Sequence, residues 1–123
     1  EAGVKAAMQM LSGIYPNAAA ISDAEVATYL AAKPYDATKG WEMISEQYWA
    51  ATLLNEYEAF SNWRRTGYPT LVPTNDPGNV TGGTIPRRLI YPTGEGSTNK
   101  ANYDAAVARQ GANDFTTRVW WDK

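Results

Sequence analysis

The sequence predicts a mainly α-helical chain interrupted by one long irregular loop, and three observations carry that expectation. "ISDAEVATYL" (residues 21–30) combines a helix-start signal with an apolar face. Residues 41–65 place apolar and aromatic side chains at helical spacing. Residues 66–98 show no helical period and contain five prolines and six glycines.

Residues 1–11 read as the end of a helix, with Val4, Ala7, Met8 and Leu11 on one face. Ser12-Gly13 is placed to stop it, and Ile14 to Asn17 continue as a turn. The opening lacks a cap and an initiator Met, which agrees with an upstream segment or processing. In the next element Ser22 is an N-cap and Glu25 stands three residues on, the spacing of a capping box. Ile21 and Val26 occupy staple positions, and the helix is expected over Asp23–Ala32, ended by Pro34. Residues 35–40 read as a loop.

A single helix is then expected from Trp41 to Arg65, roughly 37 Å long at the standard rise. One stripe holds Trp41, Ile44, Tyr48 and Ala51; a second holds Trp49, Leu53, Tyr57 and Phe60. Two adjacent stripes imply burial around much of the circumference, with Trp49, Tyr57 and Phe60 in the core. Arg64 and Arg65 suit the last turn, Gly67 suits the residue past the end, and Pro69 prevents continuation. Within 66–98 only Leu89–Tyr91 alternates enough for a short strand. So long a connection is uncommon in a small domain and calls for a larger body to pack on. A last helix starts near Asn99 or Asn102, turns Tyr103, Ala106 and Val107 inward and ends at Gly111. Trp120-Trp121 near the chain end are costly to leave in water and read as closing a core or an interface.

The 123 residues fit one domain at most. With no Cys and no His, the chain lacks disulfides, thiol nucleophiles, most transition-metal ligands and the commonest general base. A net charge of −2, with acids near the first arginine doublet, gives no footprint for nucleic acid. No stretch reaches the length of a bilayer-spanning helix. "TGGTIPRR" and "GEGST" lack the phosphate-loop and dinucleotide patterns, and no acid repeat marks a calcium loop. No cofactor or metal is expected.

Glu56 and Glu58, two apart on a helix, point apart and make a poor catalytic pair. Glu95 facing Glu58 across a cleft would be needed for glycoside hydrolysis, and spacing does not decide it. Glu58 with Arg65, Arg87 or Arg88 reads better as an arginine–carboxylate cluster tying residues 84–92 to the helix end. Five Trp and eight Tyr also invite a carbohydrate reading, because sugar C–H faces stack on such rings. Tyr35, Trp41, Tyr68 and Tyr91 fall at loops or element ends, where a ligand surface can recruit them, although covering a core is the simpler explanation of each.

Three segments in order carry a resemblance: "YWAATLLNEYEAFSNWRRTGYPTL", "IPRRLIYPTGEGSTNKANYDAAVARQG" and "TRVWWDK". Together they resemble the C-terminal part of the SusD/RagB family, the SusD-like outer-membrane lipoproteins of Bacteroidetes, strongly over residues 44–123. The motif positions are Glu58, Trp63, Arg64, Arg65, Gly67, Tyr68 and Pro69 at the helix end. Pro86, Arg87, Arg88, Tyr91, Pro92 and Asn99 follow in the loop, and Val119, Trp120, Trp121 and Asp122 in the tail. The resemblance implies a tetratricopeptide-like helical scaffold, of which residues 1–123 are the C-terminal segment, with these positions mainly structural. It also implies a lipid-anchored cell-surface protein that captures oligosaccharides, sometimes peptides, for a TonB-dependent transporter without cleaving them. A glycan hydrolase and a purely structural helical interaction domain are the competing readings.

Overall fold

The computed structural model describes residues 1–122, and the chain divides into two compact units, Glu1–Trp63 and Arg64–Lys123. Among the described residues the regular elements are all helical: α1 (Ala2–Ile14), α2 (Asp23–Ala32), a 3-10 turn (Ala37–Lys39) in the expected loop, α3 (Gly40–Ala51), α4 (Glu56–Thr66), α5 (Glu95–Thr98) and α6 (Lys100–Gln110). The strand expected at Leu89–Tyr91 does not form. The Tyr91 N–H and the Leu89 carbonyl find side-chain partners instead.

In the first unit α1 packs on α2 and α3, an arrangement of helical pairs. Helix α1 runs through Ser12-Gly13, and the Tyr15 N–H closes its last turn on the Leu11 carbonyl at 2.8 Å. Gln9 Nε2 donates to the Ile21 carbonyl at 3.1 Å and to Asp23 Oδ1 at 2.8 Å, fixing the entry to α2. There the capping box forms as expected: the Glu25 N–H reaches Ser22 Oγ, and the Ser22 N–H reaches Glu25 Oε2 at 2.8 Å. The Tyr29 hydroxyl bonds the Gln47 side chain, tying α2 to α3. Val26, at 3% exposed, is the most buried apolar residue, and Ser45 is as deeply placed.

The single helix expected over 41–65 is two helices. Thr52 Oγ1 donates back to the carbonyls of Tyr48 and Trp49, which competes with the helical ladder. The Asn55 N–H returns to the Thr52 carbonyl at 2.8 Å, and Asn55 Oδ1 accepts the Glu58 N–H, so Asn55 starts α4 afresh. The break takes the two apolar stripes out of a common register. Trp41, Ile44 and Tyr48 are exposed, and so are Leu53, Leu54 and Tyr57, against the expected core place of Tyr57. Ala59, Asn62 and Trp63 are the buried side of α4, with Phe60 stacked on Trp63 at 6.3 Å between centroids.

The second unit begins in the last turn of α4. Gly67 and Gly111, at φ 80° and 91°, take the left-handed conformations that end α4 and α6, as their positions predict. The Tyr68–Pro69 peptide bond is cis. Residues after it follow turns rather than a ladder until α5, a short helix inside a stretch expected to be loop. Asn99 precedes α6 without a side-chain cap; its amide nitrogen donates instead to Glu95 Oε2 at 3.0 Å.

Candidate functional site

The twin-arginine motifs meet inside the second unit. Arg64 Nη1 donates to the Arg87 carbonyl at 2.7 Å, and its guanidinium lies 4.5 Å from the centre of the Trp121 ring. Arg87 grips Asp122 with two donors, Nε at 2.8 Å and Nη2, and Arg118 adds a third contact at 3.2 Å. The Asp122 side chain is fully shielded from solvent. The Arg87 N–H reaches the Phe115 carbonyl at 2.6 Å, which joins the loop to the tail through its backbone as well. Burial lowers the Arg64 pKa; Asp122 opposes that, and the adjacent Arg87 cation adds to it. An arginine side chain keeps its charge at neutral pH regardless.

This is the expected arginine–carboxylate cluster with a different carboxylate. Asp122 supplies it, from 35 residues beyond Arg87. Glu58 instead accepts from the Tyr48 hydroxyl at 3.1 Å, on an exposed face. The motif positions Pro86, Pro92, Arg65 and Val119 lie along the same helix end, loop and tail. Trp121 is held under Arg64, whereas Trp120 is 95% exposed.

Tyr91 is the second node. Its hydroxyl accepts from Gln110 Nε2 at 2.6 Å, its ring meets Tyr103 edge-on at 6.0 Å, and the Arg88 guanidinium lies 5.1 Å from its centre. Its N–H donates to Asn113 Oδ1 at 2.9 Å. Of the backbone groups in 89–91, the Tyr91 N–H thus meets Asn113 and the Leu89 carbonyl accepts from Arg88 Nε at 3.1 Å. Both Gln110 and Asn113 escape sequence reasoning, because an isolated amide carries no spacing signal. Tyr68 is half-buried, with its N–H on Thr66 Oγ1 at 3.1 Å.

The remaining aromatic candidates belong to the first unit and are open to solvent. Tyr35 is 61% exposed and Trp41 57%. The hydroxyl end of Tyr35 leans on buried Gly40, filling the space where a β-carbon would stand, and Trp41 follows in sequence. Asp36 holds this corner by accepting from the Thr38 N–H and hydroxyl at 2.8 and 2.7 Å. Those bonds keep the Asp36 pKa below its usual value, the hydroxyl contributing most.

An open cleft of about 540 Å³ lies in the second unit between Pro73, Val80, Ile85 and Phe115. Its hydroxyls are engaged within the loop: Thr81 Oγ1 on Asn79 Oδ1, Thr84 Oγ1 on the Thr81 carbonyl, Thr74 Oγ1 on Asp76. Among the described residues no group of three acidic side chains is placed to hold a metal ion, and no helix is long and apolar enough to cross a membrane.

A helical first unit followed by an irregular unit pinned through arginines defines a helical-scaffold protein of the SusD type. The family model "SusD-like: Susd and RagB outer membrane lipoprotein" matches residues 4–122, and the chain belongs to that family. A solved structure described as a chitin-binding protein is 46% identical over 98% of the chain, with a TM-score of 0.87. A Bacteroidetes AC2a SusD-like structure is 35% identical over 99%, with a TM-score of 0.85. A SusD homologue from Bacteroides uniformis ATCC 8492 is 32% identical over 74%, with a TM-score of 0.63. The chain spans only 26%, 24% and 20% of the lengths of those three proteins. No curated protein matches it.

Proposed function

We propose that residues 1–123 are the C-terminal segment of a SusD-like domain in a non-catalytic outer-membrane protein. That protein is lipid-anchored at the cell surface, captures oligosaccharides and passes them to a TonB-dependent transporter. The observation that carries this reading is the family match over residues 4–122 together with 46% identity to a chitin-binding protein along nearly the whole chain. Chitin oligosaccharides are therefore the first ligands to test. In this reading the second unit is scaffold: Arg64, Arg87 and Asp122 engage one another or the backbone, and Tyr91 is held by Gln110 and Asn113. Tyr35 and Trp41 are the open rings suited to stack on a sugar face, and Gly40 leaves room for the Tyr35 ring against the helix start.

The hydrolase reading loses ground on local chemistry. Glu58 is engaged by Tyr48, and Glu95 accepts from Asn99. Glu58 is exposed and Glu95 only half-buried. Isothermal titration of the full-length protein with chitin oligosaccharides, followed by chromatography of the mixture, tests the proposal. Saturable binding with intact sugars supports it; shortened products defeat it. Trp41→Ala and Tyr35→Ala are each expected to weaken binding roughly tenfold if these rings carry the stacking.

A further inference from the structure

Helix α3 leaves one apolar stripe open to solvent. Trp41, Ile44 and Tyr48 share it, at 57%, 56% and 40% exposed, and exposed Ala51 continues it. The packed positions lie elsewhere on the helix: Gly40 and Ser45 are its buried residues, and α2 is tied in through Gln47. Three large apolar side chains in one row are costly to leave in water unless something lies over them. The helix is unbroken from Gly40 to Ala51, so the spacing along the row is fixed by its geometry. Trp41 and Tyr48 stand about two turns apart, which separates them by about 10.5 Å along the axis and turns them only about 20° around it.

Two rings in line at that distance suit one ligand shape. A β-1,4-linked pyranose chain is a flat, extended ribbon, and its disaccharide repeat is close to the same length. Rings spaced this way stack on alternate sugars, and the sugar between them lies over Ile44. An α-1,4-linked chain coils and leaves the line after one contact.

The far ring is also held in place. The Tyr48 hydroxyl donates to Glu58 Oε2 at 3.1 Å. A ring fixed before binding loses little freedom on contact. The Glu58 carboxylate has acceptor capacity left for a sugar hydroxyl or amide N–H beside that ring. It disfavours an acidic sugar by charge. An apolar protein segment laid over the same row would have to desolvate that carboxylate, which a hydroxyl-rich ligand does not.

We propose that the Trp41–Ile44–Tyr48 face of α3 is a linear subsite for three consecutive sugars of a chitin-type β-1,4-linked chain, with Trp41 and Tyr48 stacking on the outer two. The proposal rests on the reading of the parent protein as a chitin-oligosaccharide binder, and adds to it Ile44, Tyr48 and a chain geometry.

The test is isothermal titration of the full-length protein with the chitin disaccharide and trisaccharide. The disaccharide reaches one ring and the trisaccharide both, so the wild type is expected to bind the trisaccharide roughly tenfold more tightly. Tyr48→Ala is expected to abolish that advantage, and Tyr48→Phe, which keeps the ring, to retain it. An advantage that survives Tyr48→Ala, or none in the wild type, overturns the subsite and leaves the capture reading standing. An α-1,4-linked glucose trisaccharide with the same dependence on Tyr48 overturns the chain geometry. Failure of both chitin oligosaccharides to bind defeats the chitin reading and the subsite with it. Should Tyr48→Ala fail to fold, a structure of the wild-type full-length protein with the trisaccharide decides. Sugar carbons within about 4.5 Å of both rings support the subsite. A Tyr48 ring covered by another part of the parent protein, or the sugar held elsewhere, overturns it.

Discussion

Residues 1–63 and 64–123 solve the same problem by different means. The first unit carries three Lys against eight Asp and Glu, a net −5, and spends its backbone on helices with local caps. The second carries all six arginines and a net +3. It holds the Arg87 carbonyl and the Tyr91 N–H through side chains 23 and 22 residues away, and ties the Arg87 side chain to Asp122, 35 residues on. The contrast teaches that irregular backbone is held by long, multi-donor side chains where a ladder is missing. Arginine suits that work because its fork engages a carboxylate with two donors while the flat group still stacks on a ring.

Four perturbations break or sharpen this contrast. The largest effect is expected from Asp122→Ala, which leaves Arg87 part-buried without its carboxylate and frees Arg118. Removing one partner of such a pair costs about 3 kcal/mol. A fall in the urea midpoint checks it, and unchanged stability would mean the tail is not what pins the loop. Next comes Val26→Ala in the first unit, about 2 kcal/mol by lost packing. That change should leave the Arg87–Asp122 contacts intact by NMR. Ser22→Ala removes half of the capping box and is expected to cost about 1 kcal/mol. Helix fraying at α2, read by amide exchange, would localise that loss.

The smallest effect is in acid titration. Hydrogen bonds from the Ser22 N–H and then its hydroxyl hold Glu25 below its ordinary 4.5. The Thr117 hydroxyl and N–H, followed by those of Thr116, hold Asp114 below 3.8. The stabilisation from each is complete above those ordinary values. It is lost as pH falls through the lower folded-state values. Both carboxyls are fully exposed, so the total is small. Ser22→Ala should raise the Glu25 midpoint part of the way and leave Asp114 unmoved in a carbon-detected NMR titration.

The sequence by itself determined the helical character, the start of α2, the glycine ends of α4 and α6, and the family. Each of these depends on residues within about four positions of one another, or on motifs read in order. Ser22 and Glu25 are one turn apart, and Gly67 needs only its own φ to end α4. The tertiary structure decided the rest. It broke the expected long helix at Thr52–Asn55, where two side chains competing for backbone groups outweighed an unbroken apolar period. It chose Asp122 over Glu58 as the carboxylate for Arg87, and in place of a strand at 89–91 it gave the Tyr91 N–H to Asn113. It also left Tyr57, Leu53 and Trp41 open where helical spacing implied a core. The helix break is a local competition that periodicity does not weigh; the other outcomes share one physical reason. Periodicity states which face of a helix is apolar, but which partner covers that face, and which acid meets an arginine, depends on groups brought together only by folding.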